Sequence, residues 1–357
     1  MRRLASLVCI AILSSLALSA QRLAVACCPA PHPGKPVVNA DQTVILIWDP
    51  KTQTEHFIRR ASFKSAGDDF GFLVPTPSQP QLEESGDQAF PMLAEFTAPM
   101  LMSPSSGSGC GCSKSGPVPG TAVAVLEEKT VAGFHAVVLE TRSSQALVEW
   151  LRDHNYSYSP EIQTWAEPYV TQGWKITAMK VAKENATSAT APAAGQGVAA
   201  AALRISFKTD RPLFPYREPD PQAAAQSLGA KQRILRIYFI SDVRYQGNLT
   251  PEQPWTGKAV WSGSVHLAFR DRLLDALKLP KETGPDTCWL TEFEDNWPYR
   301  AAPADLYFSK AGDQSTIERP MQHAAAAPFN LAEAAPCAMV VVMVGLTPYF
   351  RRLIGRK

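Results

Sequence analysis

Short apolar runs of strand length, each followed by a proline- or glycine-containing turn, recur along this chain and limit it to a sheet-rich fold. Residues 43–48 read TVILIW, an uninterrupted apolar run of the kind found in strands that are buried on both faces. A turn follows at residues 49–52, and the run FGFLV at 70–74 ends in Pro75 and Pro77. The 30 prolines among 357 residues agree with many short connections. We therefore expect residues 43–48 to form a central strand.

The rest of the pattern predicts an α+β fold with a largely antiparallel sheet and a few packed helices. Ser143 or Ser144 can cap a first helix, and Pro160 can open a second helix that Gly173 ends. A third helix is predicted at residues 269–279, before Pro280. Further strands are predicted at residues 122–129, 134–140, 174–181, 202–208, 235–241 and 260–269.

The N-terminus has the layout of a secretory signal peptide. A basic start at residues 1–3 precedes an uncharged apolar run at 4–18, and the small residues 24–26 (AVA) suit a signal peptidase. The apolar run is short for a membrane span, which needs roughly 20 residues. We expect residues 1–26 to be removed, so that the exported chain begins at Cys27, whose lipidation is left open.

The C-terminus has the layout of a membrane anchor. Residues 334–350 are uncharged and apolar, and a helix of that length rises about 25 Å against a hydrocarbon core of roughly 30 Å. A buried C-terminal helix is the alternative, but it would show a polar face. The basic tail 351–357 follows the positive-inside rule if the body is outside the cytoplasm. The sequence thus predicts a transmembrane helix that tethers an extracytoplasmic body to the cell envelope.

Two segments without periodicity divide the body. Residues 103–120 are rich in Gly, Ser and Pro and predict a flexible loop, and residues 184–199 are rich in Ala, Thr and Gly. We take the second segment as a linker between a first α+β lobe at 27–183 and a second lobe at 200–320.

The charge of the body argues against nucleic acid as a partner. Leaving out the residues before Cys27 and beyond position 320 gives 28 basic and 32 acidic side chains, a net charge of about −4. Nucleic-acid binding requires a clustered positive field, because affinity comes largely from phosphate neutralisation. The predicted partners are instead the membrane, through the C-terminal helix, and an envelope protein or glycan.

Six stretches, taken in order, resemble a bacterial family known as domain of unknown function 2330, over roughly residues 27–320. They are DQTVILIWD at 41–49, TEHFIR at 54–59, DFGFLVPTP at 69–77, VAGFH at 131–135, ALVEWLRDH at 146–154 and YVTQGWKI at 169–176. The resemblance implies an exported protein that is often membrane-tethered. It implies no activity and no catalytic residues.

The cysteines are the most suggestive polar feature. In an oxidising compartment, five of them are candidates for disulfides, namely Cys27, Cys28, Cys110, Cys112 and Cys288. Cys110 and Cys112, separated by one glycine, are also weak candidates for a redox pair or half of a metal site. They lack the two-residue spacing of thioredoxin-like motifs, and no second pair has zinc-ligand spacing.

Four aromatic residues lie close together in the sequence, in the first two predicted helices and at the start of the strand that follows them. An aromatic groove for a glycan or peptide would use Trp150, Trp165, Tyr169 and Trp174. Packing in the core explains the same residues without a further assumption.

No sequence motif points to catalysis or to a cofactor. The chain has no H-E-x-x-H pair, no G-x-S-x-G elbow, no P-loop and no dinucleotide fingerprint. His56 and His135 are interpreted as hydrogen-bonded strand residues. The leading hypothesis is a non-enzymatic binding or structural module of the envelope. The alternative is a thiol-redox or metal-handling protein that uses Cys110 and Cys112.

Overall fold

The fold is known from a computed structural model of the chain. It describes residues 25–26, 28–30, 35–60, 62–65, 70–99, 124–156, 160–181, 197–199, 201–250 and 253–320.

Strands account for most of the regular structure in these ranges. They are β1 (Val25–Ala26), β2 (Cys28–Ala30), β3 (Val37–Asn39), β4 (Gln42–Asp49), β5 (Thr54–Arg60), β6 (Ser62–Ser65), β7 (Gly71–Thr76), β8 (Gln81–Glu84), β9 (Ala124–Val131), β10 (Phe134–Glu140), β11 (Lys175–Val181), β12 (Gly197–Ala199), β13 (Leu203–Lys208), β14 (Leu213–Phe214), β15 (Tyr216–Arg217), β16 (Leu235–Ser241), β17 (Tyr245–Asn248), β18 (Lys258–Ser264), β19 (Trp289–Asp295) and β20 (Leu306–Lys310). The helices in the same ranges are α1 (Ala89–Phe96), α2 (Ser144–Asp153), α3 (Pro160–Thr171), α4 (Gln222–Ser227) and α5 (Leu267–Ala276).

A seven-stranded sheet in the order β18-β19-β16-β4-β5-β13-β8 forms the centre of the fold. Strand β4 lies in its middle, pairs parallel with β16 and antiparallel with β5, and confirms the prediction of a central strand at residues 43–48. Both faces of β4 are buried, with Val44 and Leu46 on one face and Ile45 and Ile47 on the other. This double burial is why its sequence shows no polar alternation.

One face of this sheet shares the main core with a second, five-stranded sheet in the order β2-β7-β11-β10-β9. The core joins side chains such as Leu46 and Phe239 of the first sheet with Phe72 and Ile176 of the second. Trp165 of α3 is buried in the same core. Nearly all pairings in both sheets are antiparallel, so the α+β prediction with a largely antiparallel sheet is confirmed.

The other face of the seven-stranded sheet is covered by helices α1 and α5. Leu93 of α1 and Leu273 of α5 are buried against Ile45, Ile47 and Ile240 in a separate apolar cluster. We call this cluster, with Leu274 and Cys288, the helix-covered face.

Three of the predicted helix boundaries are confirmed. The Ser143 hydroxyl accepts a hydrogen bond of 3.1 Å from the backbone N–H of Ala146 and caps α2. Helix α3 begins at Pro160, and Gly173, with φ of +72°, follows its end. The third helix begins at Leu267 instead of residue 269. The reason is that the His266 side chain caps it, with Nδ1 accepting from the N–H of Ala268 at 3.2 Å.

The segments assigned to two lobes share one sheet. Strands β4, β5 and β8 come from residues 27–183, whereas β13, β16, β18 and β19 come from residues 200–320. The described residues up to Ala98 and from Ala124 to Arg319 belong to one compact unit. The described strands before and after residues 184–199 thus lie in the same sheet and in the same compact unit, and the role of residues 184–199 as a linker stays a prediction.

Several predictions concern residues outside the described ranges. These are most of the signal peptide, the loop at 103–120, the transmembrane helix at 334–350 and the tail at 351–357, and they stay predictions. Within the described ranges, no helix has both the length and the apolar character that a membrane span requires.

Candidate functional site

A cavity of about 410 Å³ opens between two loops at one end of the seven-stranded sheet. One loop connects β17 to β18 and the other connects β19 to β20. The volume lies within the range of small-molecule sites, about 300–1,000 Å³. The lining residues are Tyr216, Leu249, Gln253, Pro254, Thr256, Pro298, Arg300, Ala301, Ala302 and Pro303.

A buried carboxylate, Asp295 at the end of β19, organises the floor of the cavity. Its Oδ2 accepts hydrogen bonds from the Tyr216 hydroxyl at 2.7 Å and from the Trp255 indole N–H at 3.0 Å. Its Oδ1 accepts from the Thr256 hydroxyl at 2.9 Å. Burial, together with the nearby Asp295 charge, raises the pKa of Tyr216, so the phenol remains a donor. Charge-assisted bonds of this kind are short and directional, and they fix Tyr216 and Thr256 in the lining.

The Trp255 ring is held between two glycines that allow close approach. A Cβ on Gly257 would lie 2.3 Å from the ring, and a Cβ on Gly247 would lie 2.7 Å from it. No side chain fits at either position unless the ring moves. Because Trp255 also donates to Asp295, the glycines help to set the position of the loop that carries Pro254 and Thr256.

The second loop is held by a buried guanidinium, Arg233. It donates to the carbonyl oxygens of Trp297 at 3.4 Å and Pro298 at 3.0 Å. Its carbon lies 3.7 Å from the centroid of the Trp297 ring and 4.4 Å from that of Tyr299. Arg233 thus contacts three consecutive residues, of which Pro298 lines the cavity.

The charge of Arg233 is compensated by Glu218, which is also buried. The guanidinium donates to both carboxylate oxygens, and the bond from Nη1 to Oε2 measures 3.0 Å. Asn39 donates a further bond of 3.0 Å to the same Oε2. Burial lowers the pKa of Arg233. Such a pair contributes little net stability compared with apolar residues, but removing one partner leaves a buried charge without compensation.

Among the described lining residues, Arg300 supplies the only formal charge. Its side chain is exposed, and no ion pair joins it to another residue in the described ranges. By contrast, Asp295 directs both of its oxygens to protein donors. Within the described lining, the charge available to a soluble ligand is therefore the guanidinium of Arg300.

A second buried carboxylate, Asp305, lies just after the cavity loop. Both of its oxygens accept from the Tyr169 hydroxyl, at 2.9 and 3.0 Å, and the N–H of Arg217 donates at 3.1 Å. Burial raises the pKa of Asp305 to about 6, although the charge of Arg217 opposes that shift.

The four residues of the proposed aromatic groove are buried in the main core: Trp150, Trp165, Tyr169 and Trp174. Their rings contact one another or their neighbours. The Trp165 and Tyr169 centroids are 5.2 Å apart, and those of Tyr169 and Trp174 are 5.3 Å apart. The arrangement matches the core-packing alternative, and none of the four lines the cavity.

The structure describes two of the candidate disulfide cysteines, Cys28 and Cys288. They lie in different apolar clusters, Cys28 in the main core and Cys288 in the helix-covered face, so these two cannot pair with each other. No disulfide is present in the described ranges, and Cys288 is a thiol whose pKa burial raises to about 11. Cys27, Cys110 and Cys112 lie outside those ranges, so their disulfide, redox and metal roles stay predictions.

No group of three metal-ligating side chains is found in the part of the chain that the structure describes.

His56 is hydrogen-bonded through Nδ1 to the Ser206 hydroxyl at 2.8 Å. Burial and the charge of Arg204 lower its pKa to about 4, so it is neutral at physiological pH. His135 contacts Glu128 at 2.8 Å. Both histidines are thus hydrogen-bonded strand residues.

Sequence reasoning did not find the cavity residues. They come from positions 216 to 303 and meet only because β15, β17 and β19 end near one another. One signal was available: Pro254 precedes Trp255, and Pro298 follows Trp297. Prolines beside tryptophans indicate stiff loops with buried anchors, but they do not say which loops are neighbours.

Comparison with known proteins identifies the family. Residues 22–265 match the family described as "uncharacterized protein conserved in bacteria" (DUF2330). The chain belongs to this family. The DUF2330 match includes the cavity residues up to Thr256 and ends before the loop that carries Arg300.

Two further comparisons add no function. A search of curated proteins found no match. Among solved structures, the chain is similar to the crystal structure of baculovirus P35, with a TM-score of 0.34 and 6% identity. That alignment covers 80% of this chain and 97% of the other.

Proposed function

We propose that this DUF2330 protein is an exported, membrane-tethered envelope module that binds a small ligand in the cavity between the two loops. Export and tethering are supported by the sequence of residues 1–26 and 334–357. Binding without chemical conversion is supported by the hydrogen bonds of the buried charged groups around the cavity, which go to protein partners. Asp295 and Arg233 direct their polar atoms to protein partners and hold the walls in place.

The observation that carries the proposal is that both walls of the cavity are fixed independently. Asp295 and Trp255 hold the first loop, and Arg233 holds the second through two backbone carbonyls. A cavity whose walls are already ordered loses little conformational entropy when a ligand binds. Convergent polar groups in an open cavity of this size are typical of a binding site.

A fragment screen with two matched variants tests the cavity. Ala301 lines it, whereas Ala304 is a similarly half-buried alanine of the same loop that does not. We expect Ala301→Trp to fill the cavity and abolish fragment binding measured by ligand-observed NMR. Ala304→Trp should bind as the wild type does. The cavity is not a binding site if no fragment distinguishes the two variants.

Fractionation of cells that produce the full chain tests the location. We expect the protein in the carbonate-washed membrane fraction, with its body digested by protease added outside the cytoplasmic membrane. A chain that lacks residues 334–357 should leave the membrane fraction. Full-length protein recovered in the cytoplasm with an intact N-terminus would contradict export.

A further inference from the structure

We infer that the ligand carries a carboxylate, bound by Arg300, beside an apolar group that packs on the proline-lined walls. This inference rests on the proposed function and specifies the chemistry of its ligand. The observations behind it are the position of Arg300 as the charged residue of the described lining and the composition of the two walls.

Arg300 differs from arginines whose guanidinium is tied to an acidic side chain. Arginines of the described ranges that have acidic partners include Arg204, Arg233, Arg236, Arg244, Arg270 and Arg319. Among the described residues no acidic side chain pairs with Arg300; the same holds for the exposed Arg272, but only Arg300 of the two lines the cavity. A guanidinium presents parallel N–H donors that match a carboxylate, and it is charged at any physiological pH.

The cavity favours a single negative charge over a phosphate. Its described lining residues offer one guanidinium, no lysine and no helix N-terminus. Phosphate sites in proteins usually combine several such donors. In addition, the Asp295 carboxylate beneath the floor repels negative charge, and this repulsion is about twice as large for a dianion as for a monoanion. A monoanionic carboxylate is therefore the best match.

The walls supply the apolar contact. Pro254 on one loop faces the cavity together with Pro298 and Pro303 on the other, and Ala302 lies between these two. Proline rings are rigid, so they present apolar surface without loss of side-chain freedom. The Gln253 amide, also in the lining, adds a neutral donor on the first loop.

Two pairs of compounds that differ only in charge test the inference on the purified full chain by isothermal titration calorimetry. The first pair is hippurate and hippuramide, which represent a small acid. The second is the tripeptide Ala-Ala-Phe with a free or an amidated C-terminus, which represents a chain end. We expect each acid to bind about tenfold more tightly than its amide, since a charge-assisted pair replaces a neutral one. The pair with the larger ratio identifies the source of the carboxylate.

Variants of single arginines test whether Arg300 causes the difference in affinity between each acid and its amide. Arg300→Gln should remove the acid–amide difference, and Arg300→Lys should keep part of it. Arg272→Gln, at another exposed arginine, should behave as the wild type. Equal affinity for acid and amide, or binding of neither, overturns the carboxylate inference. The proposed function fails separately, when no fragment of any charge distinguishes Ala301→Trp from Ala304→Trp.

Discussion

The cavity end of the molecule and the helix-covered face both contain buried side chains, but the kinds of side chain differ. Around the cavity, Glu218, Arg233 and Asp295 are buried charged side chains joined by directional hydrogen bonds. In the helix-covered face, Ile45 and Leu273 belong to a cluster composed of apolar side chains. The first region specifies where loops lie, and the second supplies stability.

The difference follows from the two kinds of interaction. Apolar burial is roughly proportional to the area removed from water and has no preferred direction. A buried charge is costly unless its hydrogen bonds are satisfied, and this requirement selects one arrangement of the surrounding backbone. The comparison teaches that a change in the helix-covered face can lower the stability of the fold without altering the cavity, whereas a change in the buried charges alters both.

Removing the charge of Arg233 should have the largest effect on stability. Arg233→Met leaves Glu218 buried without its cation, and we expect a loss of about 3–5 kcal/mol in the free energy of unfolding. Urea unfolding followed by circular dichroism measures it. Lys51→Met, at the exposed pair with Asp286, is the control and should change the stability far less, because solvent screens that pair. Equal losses would show that Arg233 is not a buried anchor.

Truncating Leu273 should have the next largest effect. The side chain is buried in the helix-covered face, so Leu273→Ala removes apolar contacts and leaves a cavity. We expect a loss of about 2–4 kcal/mol in the same urea experiment. A loss below about 1 kcal/mol would contradict the view that this face supplies stability.

The buried Asp305 predicts that the free energy of unfolding changes with pH by about 3 kcal/mol. Its pKa of about 6 exceeds the ordinary value of 3.8, so the folded state holds a proton that the unfolded state releases. The contribution of Asp305 to stability is therefore largest at low pH and is lost as the pH rises from about 4 to about 6. The wild-type stability minus that of Asp305→Asn should fall over this window, measured by urea unfolding at each pH. A constant or rising difference would refute the burial argument.

The close contact between Gly257 and the Trp255 ring predicts a smaller effect on stability. Gly257→Ala forces a methyl group against the ring, and we expect a loss of about 1–3 kcal/mol together with a changed tryptophan fluorescence spectrum. Gly312→Ala is the control, because no atom lies within 4 Å of its added Cβ. Its stability should change by less than about 0.5 kcal/mol. Similar losses in both variants would mean that Trp255 is not held as described.

Local patterns were sufficient to predict the elements with strong periodicity. The run at residues 43–48 predicted the central strand, and Ser143 predicted the start of α2, because both signals lie within a few residues. Helix α1 was missed because Pro91 interrupts its sequence. Proline is tolerated there since it lies in the first turn, where its missing N–H has no helical partner.

Long-range features could not be predicted in the same way. Nothing in the sequence of β16 says that it pairs parallel with β4, because strand order depends on contacts between distant segments. Likewise, Arg233 reads as a surface residue until Glu218 and Trp297 enclose it. The cavity is formed by segments that are distant in the sequence, so its lining residues could be identified only from the folded chain.

Binding by the Arg233 and Leu273 variants tests the central claim most directly. The dissociation constant of a fragment that Ala301→Trp excludes is measured by calorimetry for Arg233→Met and Leu273→Ala, under conditions where both are folded. The account predicts that Arg233→Met weakens binding about tenfold or more, because the loop at Pro298 loses its anchor. Leu273→Ala should stay within about twofold of the wild type, although it also loses stability. Equal weakening in the two variants, or none in Arg233→Met, would contradict the claim that buried charge sets the shape of the cavity.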